Sequence, residues 1–102
     1  NQPGIETFPI QQDEELIGWQ AKYYSGKLTD HKDDIIDSIE TAKKNYPKLT
    51  KFILFCNLEW TSTKNGGYPK ARTAILEKCK ELNITLEERL LSYFEKIVEN
   101  IK

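Results

Sequence analysis

The alternation of apolar and polar positions divides this chain into short strands and amphipathic helices. Residues 4–10 form a short apolar run, and Pro9 confines it to a sheet edge or a strand end. Gln11, Gln12, Asp13 and Glu14 read as a polar turn, and residues 15–24 as a second strand, so the two runs predict a β-hairpin with a loop longer than the tightest kind. Ser25, Gly26 and Lys27 break that strand. Ile35, Ile39 and Ala42 then recur at helical spacing, with Tyr46 one turn on. Thr29 or Asp30 is placed to cap this helix, Asp33 and Asp34 suit the positive end of its dipole, and Pro47 stops it after Lys43 and Lys44.

Residues 51–58 are apolar on both faces, the pattern of a central strand covered on each side. A strand, a helix and a buried strand make a βαβ unit, so this strand is expected to run parallel to the one before the helix. Residues 61–68 are a polar loop with Gly66 and Gly67, suited to a mobile segment beside a site. Pro69 opens a second helix whose stripe is Ala71, Ile75, Cys79 and Leu82. The last segment has two readings. Thr85 to Glu88 matches a capping box, and Leu86, Leu90, Phe94, Ile97, Val98 and Ile101 keep the spacing of a single helix. Alternatively, residues 84–90 alternate as a strand and Ser92 caps a short helix.

Composition narrows this picture. With 102 residues, 38% hydrophobic and 30% charged, the chain suits one small α/β domain with a modest core. It holds no apolar run near the roughly 20 residues of a membrane span. It starts at Asn1 and contains no Met, so it is expected to be a piece of a larger parent protein. The net charge of −1 argues against binding nucleic acid by bulk charge, although Lys22, Lys27, Lys32, Lys43, Lys44, Lys48 and Lys51 concentrate in one third of the chain. Cys56 falls in the apolar strand and Cys79 on a helical stripe, without the spacing of a zinc site. Buried thiols and a cytoplasmic setting are the expectation.

The stretch richest in chemistry is Gly18-Trp19-Gln20-Ala21-Lys22-Tyr23-Tyr24. In a strand, Gln20, Lys22 and Tyr24 share one face. That places an amide oxygen beside an ammonium group, with the carboxylate of Glu6 available upstream. Mg²⁺ takes oxygen ligands and keeps several waters. Glu6, the Gln20 side chain and the Ala21 carbonyl are therefore candidate ligands, and Lys22 a group to orient or deprotonate water. His31, the only histidine, reads as a surface or capping residue, and Trp19 and Trp60 as packing.

Pro3-Gly4-Ile5-Glu6 followed by Gly18 to Tyr24 resembles the PD-(D/E)xK nuclease superfamily. The similarity is to its Mrr-like restriction endonuclease branch, in which Gln often replaces the second acid, and to the N-terminal nuclease domains of bacterial anti-phage NTPases. Ile35 to Ile39, Tyr46 to Leu49 and the strand from Phe52 extend the resemblance over most of the chain. It implies a restriction-endonuclease-like mixed β-sheet flanked by helices, in the order hairpin, helix, buried strand, helix, strand, helix, which favours the strand reading of residue 84 onward. It further implies a Mg²⁺- or Mn²⁺-dependent DNA endonuclease with Glu6 as first acid, Gln20 in place of the second, and Lys22 as catalytic lysine. Ser38 and Tyr24 fall where substrate phosphate would approach. Glu stands where the family usually has Asp. DNA, the rest of a defence or restriction protein and a second copy of the chain are the implied partners. A degenerate nuclease fold, kept for DNA binding or for assembly, is the competing expectation.

Overall fold

The computed structural model describes residues 8–101. It is an α/β domain in which a four-stranded mixed sheet is flanked by three helices. The strands are β1 (Ile10–Gln12), β2 (Glu15–Lys22), β3 (Lys51–Cys56) and β4 (Thr85–Arg89). A short 3₁₀ turn, Leu28–His31, leads into α1 (Lys32–Asn45), and α2 (Lys70–Glu81) and α3 (Leu91–Ile101) complete the chain. Spatial order follows chain order, β1-β2-β3-β4. β1 is antiparallel to β2, and β2, β3 and β4 run parallel. The expected order of elements and the parallel β2–β3 pair are both present. Between the two readings of the C-terminal segment, the chain takes strand then helix.

The hairpin differs from its sequence expectation. Ile10 pairs with Ile17 and Gln12 with Glu15, so the loop is only Asp13 and Glu14. Asp13 has φ 55°, a left-handed conformation that Asp tolerates better than most residues. Gln11 and Gln12, expected in the turn, are strand residues. The upstream run falls largely on residues 1–7, outside the described residues. β3 ends at Cys56, two residues earlier than its apolar pattern suggests.

Each parallel connection is a helix laid on the same face of the sheet. Phe52, Leu54 and Cys56 alternate with half-buried neighbours along β3, and together with Ile35, Ile39, Ala42, Ile75 and Cys79 they form the core. Lys78 of α2 reaches Glu40 of α1 at 3.2 Å, tying the helices together at the surface. α2 closes with Asn83 at φ 57°, where the Ile84 N–H donates to the Cys79 carbonyl and the Asn83 N–H to that of Lys80. This is a Schellman stop with Asn in the usual glycine position, and it turns the chain directly into β4. The α1 entry is not capped as the sequence suggests. The 3₁₀ turn puts His31 at the N-cap, and no side chain makes a capping bond there.

α3 lies on the opposite face. Phe94 packs against Phe55, ring centroids 6.4 Å apart, and Arg89 lies over the rings of Phe55 and Tyr93. Ser92 does not cap this helix. Its N–H donates to the Glu59 carboxylate at 2.9 Å, so the cap comes from the loop after β3. No α3 residue is buried.

Candidate active site

Three parallel strands end together at Lys22, Cys56 and Arg89, and the two crossover helices begin at that edge. In open α/β sheets, the edge at the strand C-termini is where ligands bind. The register pairs Gly18 with Phe52, Gln20 with Leu54 and Lys22 with Cys56, so Gln20 and Lys22 share the face covered by α1 and α2. The expected alternation along β2 is present.

Lys22 is not a free ammonium. Its Nζ lies 3.0 Å from Asp34 Oδ2, in the first turn of α1. The Tyr24 hydroxyl donates to the same oxygen at 2.5 Å. His31 stacks on Tyr24 with centroids 3.9 Å apart and planes 5° from parallel. His31 Nε2 lies 2.8 Å from the Ser25 carbonyl, to which it donates when protonated there. Tyr24 is further held by Asn57, whose Oδ1 accepts the Tyr24 N–H while its Nδ2 donates to the Tyr24 carbonyl, each at 2.9 Å.

These contacts set the electrostatics. The hydrogen bond from Tyr24 chiefly, with the ammonium of Lys22 adding to it, holds the Asp34 carboxyl below its ordinary range against the opposing effect of burial. Burial first, and then the Asp34 carboxylate, push the Tyr24 phenol far upward, so it stays a donor throughout the physiological range. The pair is thus an ionised Asp34 receiving two hydrogens, one neutral and one charged.

Gln20 lies one strand step deeper. Its Oε1 is buried and has no hydrogen-bond partner among the described residues. A buried amide oxygen left unpaired costs free energy, on the order of 1–3 kcal/mol. It is also a hard neutral oxygen, a donor type that Mg²⁺ accepts. The resemblance gives this residue a ligand role. Ala21 is in register with Phe55 and presents its side chain to the other face. Ser38 is half-buried on α1, one turn beyond Asp34 and on the same side of the helix. Glu6 lies outside the described residues. Among the described residues, no group of three or more His, Cys, Asp or Glu side chains is gathered as a metal site.

Asp34, His31 and Asn57 enter the site without having been singled out for it. Asp34 carried a signal, since a crossover connection brings the first turn of its helix back over the end of the preceding strand. Its sequence position reads equally well as a dipole partner, and that reading hid the contact. Asp13, Glu14 and Glu15 lie at the other end of β2, as expected of the turn.

A cavity of about 430 Å³ opens at the strand ends beside Lys22, lined by Ala21, Tyr23, Phe55, Asn57, Leu91 and Phe94 among others. A second polar cluster lies across the sheet. Glu88 accepts from Arg72 at 2.6 Å and 2.9 Å and from Trp60 Nε1 at 2.6 Å, while the Arg72 guanidinium sits 3.9 Å over the Tyr68 ring. Glu88 is fully engaged, so this cluster braces the loop after β3 against β4. Trp60 is a packing residue, as its sequence position suggests, and borders a small polar cavity of about 150 Å³.

The chain matches no known family model, and no curated protein resembles it in sequence.

Proposed function

We propose that this is the nuclease domain of a larger protein, a metal-dependent endodeoxyribonuclease acting as effector in a bacterial restriction or anti-phage system. The observation that carries the reading is the unpaired buried Oε1 of Gln20, one strand step from Lys22 on the same face. An unsatisfied buried oxygen on the face that carries a half-buried ammonium is costly as structure and suited to holding a cation. Gln20, with the Ala21 carbonyl and Glu6 as the resemblance assigns them, would hold Mg²⁺ or Mn²⁺. When bound, the ion supplies charge neutralisation and a more acidic water. Lys22 donates to the phosphate and offsets charge as it develops. Asp34 and Tyr24 hold the Lys22 side chain at the mouth of the site, and Ser38 stands one helical turn further along. No helix among the described residues is long and apolar enough to cross a membrane, and a cytoplasmic setting belongs to this proposal.

The test is cleavage of supercoiled plasmid with Mg²⁺ or Mn²⁺ against a chelator, comparing the wild type with Lys22→Ala in the longest available chain. Metal-dependent nicking that Lys22→Ala abolishes supports the reading. Equal cutting by both proteins, or none by either, rejects it. A second reading, a degenerate nuclease fold serving DNA binding or assembly, is favoured by the closed Lys22–Asp34 pair. It predicts metal-independent DNA affinity that Lys22→Ala leaves unchanged.

A further inference from the structure

We propose that Asn65 is a site of spontaneous covalent modification, at which the neutral amide converts through a cyclic imide to aspartate and isoaspartate. This inference is independent of the nuclease reading. It starts from the polar loop after β3, where Asn65 precedes Gly66. An asparagine loses its amide when the backbone nitrogen of the next residue reaches the side-chain carbonyl carbon. A side chain on that next residue hinders the approach, and glycine has none.

The loop presents this pair openly. Residues 61–68 are all exposed, Asn65 among them. A β-turn runs from Thr63 to Gly66, closed by the Gly66 N–H donating to the Thr63 carbonyl at 2.9 Å. Gly66 has φ 80°, and apart from its chain neighbours no atom lies within 4 Å of where a Cβ would stand. Two further bonds close the loop. The Thr63 N–H donates to the Gly67 carbonyl at 2.9 Å, and the Gly67 N–H to the Thr63 hydroxyl at 3.1 Å. All three bonds lie within residues 63–67, so the turn can open and release the Gly66 nitrogen without disturbing the sheet or its core. The Trp60–Glu88–Arg72 brace holds the chain on either side of it.

The other asparagines among the described residues lack this opening. Asn45 is followed by Tyr46, Asn57 by Leu58, Asn83 by Ile84 and Asn100 by Ile101. The Asn57 amide is engaged with Tyr24 through both its oxygen and its nitrogen. The N–H groups after Asn45 and Asn83 are bound to the carbonyls of Ala42 and Cys79, and Asn100 stands inside α3.

In the reaction, the Gly66 nitrogen gives its proton to hydroxide and bonds to Asn65 Cγ. The Cγ–Nδ2 bond breaks, and the leaving nitrogen takes a proton from water and departs as ammonia. Water then opens the imide ring. Addition at Cγ gives aspartate. Addition at the main-chain carbonyl carbon of residue 65 gives isoaspartate, whose backbone runs through the former side chain. No oxidant or reductant takes part. Either product carries a carboxylate where the amide stood, so the net charge of −1 becomes −2. The loop joins the end of β3 to the start of α2, so the new charge falls beside the edge at which Lys22 and Arg89 end their strands.

The test is intact mass and peptide mapping of the native chain during incubation in mildly alkaline buffer, with isoaspartate counted by its enzymatic methylation. Wild type, Gly66→Ala and Asn65→Gln are compared, and Asn45, Asn57, Asn83 and Asn100 serve as internal controls. The expected result is conversion at residue 65 to both products, with the circular dichroism of the fold unchanged. It should run at least on the order of tenfold faster than at the other asparagines, and slow by a similar factor in Gly66→Ala. Conversion of Asn65 that begins only when urea unfolds the chain overturns the proposal, because the turn then protects the amide. So does a native chain in which Asn65 reacts no faster than the controls, or in which Gly66→Ala reacts at the wild-type rate. Isoaspartate that persists undiminished in Asn65→Gln comes from another position and overturns it as well.

Discussion

On one face of the sheet, Phe52, Leu54 and Cys56 are sealed beneath α1 and α2. On the other, Trp19, Ile53 and Phe55 are half-buried beside a helix that buries none of its residues. The same strands make both faces, and alternation gives each nearly as many apolar positions. What differs is the connection. Two parallel crossovers place their helices on one side as a consequence of chain handedness, while the other side receives only a helix that follows the last strand. The closed face carries the stability, and the polar groups Gln20 and Lys22 sit at its end, where the covering helix begins. An otherwise closed face is therefore where an unpaired oxygen or a constrained ammonium carries information, and an open face is where exposed apolar area does.

The sharpest way to break this comparison is to truncate equivalent rings on the two faces. Phe52→Ala is expected to lose about 3–5 kcal/mol in denaturant unfolding, and Phe55→Ala clearly less. Equal losses would mean that the open face is covered in solution. Cutting the brace with Glu88→Ala leaves the Arg72 guanidinium and the Trp60 N–H without their acceptor, and is expected to cost about 2–3 kcal/mol in the same measurement.

Gln20→Leu separates structure from chemistry. Replacing an unsatisfied buried amide by an alkyl group is expected to raise stability by about 1 kcal/mol while abolishing metal-dependent cleavage. A loss of stability would show that Oε1 is paired in solution. Lys22→Met breaks a partly exposed ion pair and is expected to shift stability by less than about 1 kcal/mol. On the proposed nuclease reading, its larger effect is expected in the cleavage assay.

The smallest effect concerns the thiols on the closed face. Burial holds both thiol pKa values above the ordinary range, that of Cys79 at about 11. A group whose folded pKa is raised stabilises the fold fully below its unfolded value and loses that contribution as pH rises. The Cys79 contribution should therefore fade between the ordinary thiol range and about pH 11. Below it, neither Cys56 nor Cys79 should react with a thiol reagent until the protein unfolds. Rapid labelling of the native protein would show that the closed face opens.

Much of the fold was legible because periodicity reports burial. Ile35, Ile39 and Ala42 read as a helix stripe, and all three are fully buried. The strand from Lys51 read as central, and it lies between β2 and β4. The hairpin was misread because Gln11 and Gln12 are polar, and an exposed edge strand need not show an apolar face. The α3 segment was ambiguous because a strand and a helix end to end share one run of apolar residues, and only the β3–β4 pairing separates them. In the site, the Gln20–Lys22 face followed from strand geometry alone. The Lys22–Asp34 pair did not, since it depends on how far the chain travels between strand and helix. Asn57 carried no signal, because its role is to hydrogen-bond a backbone that lies distant in sequence.

That last contact makes the edge sensitive to a single atom. Asn57 grips Tyr24 with one acceptor and one donor, as the backbone of one further strand residue would. Asn57→Asp keeps the shape and replaces NH₂ with a charged oxygen facing the Tyr24 carbonyl. Attraction becomes repulsion without any change in volume. The tie between the end of β2 and the loop after β3, just past the last paired residues Lys22 and Cys56, thus depends on the orientation of one amide.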